Sequence, residues 1–203
     1  MKNYKLEEEL NNYILNPRDA NINFNLGNIY FEINQYASAM SYYLRCAEIS
    51  DNKELVYESL LSSWLCIKNV KDRPIFERGQ LMTIIAQSPD RPEAYYFMCN
   101  WLEIHGEKSY NSNEEKFHQM YLYACIGVSN ILFDKDFLSF KEYPGYYGLM
   151  FYKAFAGWHI GKKKESEDIF IDLYNNHKLD YYFDTYVRNN INNLNIEHRI
   201  NKK

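Results

Sequence analysis

The chain has 203 residues and a net charge of -4, and its 46% hydrophobic and 25% charged content excludes wholesale disorder and leaves room for one good-sized domain. The acidic balance argues against a nucleic-acid binder held by a basic face, since the short runs Lys162 to Lys164 and His198 to Lys203 read as a solvated loop and tail. Eight glycines and five prolines leave few turns and long elements, which favours helices over a many-stranded sheet.

Apolar residues return every three or four positions along almost the whole chain. Leu6, Leu10, Tyr13 and Ile14 predict a first helix, ended by Asn16-Pro17. Two helices follow, over 20–34 and 36–50, hinged at Asn34. Asp51 with Glu54 has the spacing of a capping box and opens a helix to about Lys68. Asp72-Arg73-Pro74 opens the next, to about Gln87. Asp90-Arg91-Pro92-Glu93 reads as a second capping box, and its helix is expected to end at Gly106. Ser112 with Glu115 is a third box, followed by a helix carrying Phe117, Met120, Tyr121, Ala124, Gly127 and Val128. Residues 132–145 read as irregular, and three further helices are expected over 146–160, 163–176 and 180–194.

The spacing inside these helices repeats. Asn23-x-x-Leu26-Gly27-x-x-Tyr30, then Ala39-x-x-x-Tyr43, resembles the tetratricopeptide pattern Trp-x-x-Leu-Gly-x-x-Tyr and Ala-x-x-x-Phe. Gly27 and Ala39 are small where two antiparallel helices cross, and Tyr30 and Tyr43 fill the space beside them. A second copy reads Tyr57-x-x-Leu60-Leu61-x-x-Trp64, with Leu60 placed 34 residues after Leu26, then Glu77-x-x-x-Leu81. A third reads Tyr95-x-x-Met98-Cys99-x-x-Leu102 with Met120-x-x-x-Ala124. A degenerate fourth runs from Tyr146 to Gly161 and on through Ser166, Phe170 and Leu173. The expected fold is therefore all-α: about ten helices and no sheet, arranged as tandem antiparallel hairpins stacked into a right-handed superhelix of the tetratricopeptide kind. Residues 1–203 form one repeat domain in this reading, with units at 20–51, 54–89, 92–131 and 146–176 and flanking helices at 3–15 and 180–194.

A narrower resemblance covers residues 80–194. Pro89, Arg91, Glu93 and Ala94, then Tyr121 to Ala124, then Leu132, Phe133, Lys135 and Asp136, resemble in order the helical-repeat segment attached to family-2-type glycosyltransferases. That segment often carries a Glu in its aromatic helix where this chain has Phe151-Tyr152-Lys153, and the nucleotide-sugar domain itself is absent from the 203 residues. The resemblance implies an accessory place in glycan synthesis rather than catalysis.

Candidates for chemistry are few. Asp134-Lys135-Asp136 has the form that metal-dependent transferases use to hold a divalent ion, yet it lies between repeat helices with no strand nearby and reads as a loop. The five histidines never fall at metal-ligand spacing, with His159 read as helix packing. Gly145, Gly148 and Gly157 lack the G-x-x-x-x-G-K-[ST] of a phosphate loop. No catalytic residue, metal site or cofactor is expected, and an enzyme is not. The four cysteines Cys46, Cys66, Cys99 and Cys125 form no C-x-x-C pair and read as buried thiols of a reducing compartment. No apolar window approaches the roughly 18–20 residues of a membrane span. Met1 to Glu9 lacks the apolar run of a secretory signal, so the expected location is cytoplasmic.

Function then rests on a surface. The first helix of each hairpin lines the concave wall of such a stack. Its outward positions are Phe24, Asn28 and Glu32, then Glu58 and Ser62, then Tyr96, Asn100 and Glu103. This aromatic, amide-rich, acidic set suits an extended protein or peptide partner, with Asn bonding its backbone and Glu favouring basic residues. It lacks the lysines with which tetratricopeptide domains clamp a terminal carboxylate. A glycan stacked on Tyr96 or Phe24 is the competing ligand, and a glycosyltransferase is the protein partner that the narrower resemblance implies.

Overall fold

The computed structural model describes residues 2–70, 73–110, 112–130 and 143–199. Ten α-helices and no strand occur among them. The chain is all-helical, built of antiparallel hairpins, and it divides into two compact units within residues 1–89 and 90–203.

The first unit holds α1 (Lys2–Leu15), α2 (Ala20–Glu32), α3 (Tyr36–Ile49), α4 (Lys53–Val70) and α5 (Pro74–Gln87). Asp19 starts α2 by accepting the Ile22 N–H at 3.0 Å. Asn34 ends it in the left-handed conformation, with φ of 61°. Its N–H donates to the Phe31 carbonyl at 3.0 Å and the Gln35 N–H donates to Tyr30 at 2.9 Å, the paired bonds of a Schellman turn. The chain thus reverses in three residues, and α3 returns along α2. Gly27 makes the close crossing possible: a β-carbon there would lie 2.5 Å from the Tyr43 ring. Leu26, Ala39, Tyr43, Cys46, Tyr57, Leu61, Trp64 and Leu81 are buried in this unit. Tyr30 stacks on Tyr42, their ring centroids 5.4 Å apart.

The second unit holds α6 (Glu93–Ser109), α7 (Asn113–Ser129), α8 (Tyr146–His159), α9 (Lys163–Asn176) and α10 (Tyr181–Asn193), followed by a 3₁₀ turn, Glu197–Arg199. Gly127 lets α7 approach two neighbours at once, since a β-carbon there would meet Leu149 at 2.9 Å and Tyr95 at 3.0 Å. The α8–α9 turn is a second Schellman reversal, at Gly161 with φ of 84°. In the same way Asn195, with φ of 54°, ends α10. Asn195 follows Gly161 by 34 residues, the spacing expected of successive units and seen between Leu26 and Leu60.

Three sequence expectations about helix ends are corrected. The cap of α4 is Asn52, not Asp51: its Oδ1 accepts the N–H groups of Glu54 and Leu55 at 3.0 and 3.4 Å. Asp90 does not box with Glu93, because Glu93 is turned inward and grips Arg91 through two bonds of 2.6 and 3.2 Å. Gly106 is not a C-cap, because α6 continues to Ser109. That glycine is an interior contact, and a β-carbon on it would lie 2.5 Å from the buried Lys116 side chain. Ser112 caps α7 as expected, accepting the Glu115 N–H at 3.1 Å.

Candidate functional site

The eight expected contact residues fall into two groups, each organised by one buried tyrosine. In the first unit that residue is Tyr43 on α3, only 2% exposed. Its hydroxyl donates to the Asn28 side-chain amide oxygen at 2.7 Å, and Ser62 lies beside it. The Phe24 ring packs on it with centroids 5.6 Å apart. The charges of Glu58 and Glu32 also act on it, and burial, above all, holds its phenol well above the usual range. Residues from α2 and α4 therefore meet over a residue of α3. Asn28 and Ser62 serve this packing with the groups that were expected to face a ligand, while Glu32 is exposed.

In the second unit the organiser is Tyr152 on α8, 3% exposed. The Asn100 amide donates to its hydroxyl at 3.0 Å, and the hydroxyl donates to Glu103 Oε2 at 2.8 Å. The Tyr96 ring lies 5.6 Å from that of Tyr152 and 5.7 Å from that of Tyr143. Desolvation raises the phenols of both Tyr96 and Tyr152, so each stays a neutral hydrogen-bonding group at any ordinary pH. Tyr152 itself was not among the expected site residues. Its sequence neighbourhood is a plain aromatic helix, and its partners lie 49 and 52 residues away in the chain.

The signature residues of the narrower resemblance have a structural role here. Arg91 and Glu93 are 4% and 3% exposed and form a bidentate buried pair at the start of α6, beside the wholly buried Ala94. Such a pair holds the helix entry in one geometry and offers no open group to a ligand. Tyr121, from the second signature, donates to Glu165 at 2.9 Å, and Lys153 reaches the same carboxylate at 2.8 Å. The Leu132, Phe133, Lys135 and Asp136 signature, and with it Asp134-Lys135-Asp136, lies outside the described residues.

A shallow open cavity of about 550 Å³ lies along α8 and α9, lined by Met150, Lys153, Lys164, Glu165, Asp168, Ile169 and Asp172. None of the eight expected contact residues borders it. His159 does pack as expected, stacked on Phe117 with centroids 4.0 Å apart. No helix among the described residues is long and apolar enough to cross a membrane.

The α2–α3 hairpin, with its close crossing at Gly27 and its left-handed turn at Asn34, is the segment over which the chain is similar to known proteins. A tetratricopeptide repeat family model matches residues 20–53. The match spans α2, α3 and the first residue of α4, so this hairpin is similar to a tetratricopeptide unit, and the all-helical architecture around it accords with a repeat protein of that kind. No curated protein matches the chain.

Proposed function

We propose that the protein is a non-catalytic interaction scaffold that receives a protein or peptide segment on the first-helix faces of its hairpins. Phe24, Glu32 and Glu58 are the contacts in the first unit, where Asn28 bonds Tyr43 and Ser62 is buried, and Tyr96, Asn100 and Glu103 are those in the second. The observation that carries the reading is the tetratricopeptide match over 20–53, since repeats of this kind present helical faces to protein partners. The cluster at Tyr152 supports it, because it holds Asn100 and Glu103 in fixed orientations and so lowers the entropy cost of binding.

A second reading, an accessory module that binds a glycosyltransferase or a glycan, rests on the resemblance over 80–194. Tyr181 and Tyr182, 90% and 52% exposed on α10, favour it as rings on which a sugar can stack. Photo-crosslinking amino acids at Phe24 and Tyr96, with controls at the exposed Glu48 and Ser129, test both. One protein crosslinked from the first-helix positions and absent from the controls is expected. Crosslinking from the controls alone overturns the scaffold reading, and a transferase among the captured proteins is what the second reading requires.

A further inference from the structure

Within its unit α3 packs on both α2 and α4, whereas α5 packs chiefly on α4. The outer side of α5 exposes Ile75, Phe76, Gly79, Met82, Thr83 and Ala86, positions that recur on one helical face. None of the six carries a charge. The outer side of α3, the matching helix of the preceding hairpin, exposes Arg45 and Glu48 instead. Thr83 spends its hydroxyl within the helix, donating to the Gly79 carbonyl at 3.1 Å, so the face asks for no outside hydrogen bond. Ile75, Phe76 and Met82 are 82%, 66% and 49% exposed, which together leaves on the order of 400 Å² of apolar side chain in water. A patch of that size on one helix marks a contact surface. The middle of the face is flat, since a β-carbon on Gly79 would meet no neighbouring group within 4 Å among the described residues.

We propose that this face binds the same face of a second copy of the chain, the two α5 helices crossing antiparallel at Gly79. The face is complementary to itself. A two-fold axis through Gly79 sets Ile75 opposite Thr83 of the second copy, and Phe76 opposite its Met82. The bulkier aliphatic chain thus meets the smaller one, and the aromatic ring meets a thioether, a favourable pairing. Two bare glycines at the crossing let the helix backbones approach closely. No charge on either face opposes the pairing, whereas a charged partner would find no counter-ion there. A stable dimer commonly buries about 800 Å² on each copy, about twice the apolar area available here, so the association is reversible, with a Kd of about 10–100 µM. The inference stands apart from the scaffold reading, because none of these six residues is a first-helix contact.

Sedimentation equilibrium of the full chain, run from about 5 to about 500 µM, is expected to show monomer giving way to dimer. Phe76→Lys and Met82→Glu each place a charge at an exposed position, so the far-UV circular dichroism spectrum should stay that of the wild type. Each substitution should weaken self-association by more than about tenfold, because it buries an unpaired charge in the contact. Leu44→Glu, at an exposed leucine on α3, should leave self-association unchanged. An equimolar mixture of the Phe76→Lys and Met82→Glu chains should dimerise again, since the antiparallel register sets the new ammonium against the new carboxylate. Apolar surface gathering without register would not show this rescue. The proposal is overturned by a wild-type chain that stays monomeric at about 500 µM, by dimers that survive both charges, or by a mixture that stays monomeric. In the first case the face is left to an apolar partner of another kind.

Discussion

Gly27 and Gly79 have the same side chain and opposite surroundings. A β-carbon on Gly27 would sit 2.5 Å from two carbons of a Tyr43 ring that is itself 2% exposed and pinned to Asn28. Neither helix can yield without disturbing the crossing. Gly27→Ala is expected to destabilise by about 1–3 kcal/mol, read as a fall in the urea midpoint. A β-carbon on Gly79, on the exposed face of α5, would meet no neighbouring group within 4 Å among the described residues. Gly79→Ala is expected to stabilise by about 0.5–1 kcal/mol, because alanine loses less backbone entropy on entering a helix. If both substitutions moved stability in the same direction, the packing account of Gly27 would be wrong. The two sites are indistinguishable by residue type, and only the helical spacing Leu26-Gly27-x-x-Tyr30 marks the first as a crossing point in the sequence.

At the scale of elements, α2 and α10 are built alike although 161 positions separate Asp19 from Asp180. Each has 13 residues, an aspartate cap at its start and a left-handed asparagine after its end. Asn34→Gly should keep or slightly raise stability, since glycine has no β-carbon to strain at positive φ, whereas Asn34→Ala should cost about 1 kcal/mol, since alanine keeps the β-carbon and loses the polar side chain that lets asparagine tolerate this conformation. Thermal melts of the two variants settle the order, and a less stable glycine variant would contradict the turn. Between elements, Glu165 ties α9 to α8 and α7 through Lys153 and Tyr121. The Lys153 bond, first, and the Tyr121 bond hold its carboxyl below the usual 4.5. A depressed folded value means the contribution is complete above the unfolded value and fades as pH falls through the folded one. Urea midpoints taken from pH 5 down to pH 3 should therefore drop more steeply in wild type than in Glu165→Gln. Identical slopes would rule out the coupling.

For the whole molecule, the four free thiols report on both units. Cys46 and Cys66 lie in the first unit and Cys99 in the second, all buried, whereas Cys125 is only partly covered. Burial also pushes the Cys66 thiol up to about 12, leaving almost no thiolate to react at pH 8. A disulfide-exchange reagent should label Cys125 first and the remaining three only as fast as their units open. Rapid labelling of all four in the native protein would show that the cores are not closed as described. The pattern also separates the units, because exposure of Cys99 and of Cys66 need not occur together.

The helices, their approximate ends and the small residues at their crossings were legible in the sequence, because 3.6-residue periodicity and turn chemistry are local properties written within a few positions of where they act. Asn34, Gly161, Ser112 and the Leu26-Gly27-x-x-Tyr30 spacing belong to this class. What required the tertiary structure was every feature made by residues far apart in the chain. Gly106 looked like a helix end because glycine often is one, and only the Lys116 side chain lying against it makes it an interior contact. Glu93 looked like a cap because of its spacing, and only the buried Arg91 beside it turns it inward. Asn28, Ser62, Asn100 and Glu103 looked like a row of free polar groups. Tyr43 and Tyr152 gather them into two clusters, in which Asn28, Asn100 and Glu103 are hydrogen-bonded, because a buried hydroxyl must find partners wherever the fold brings them.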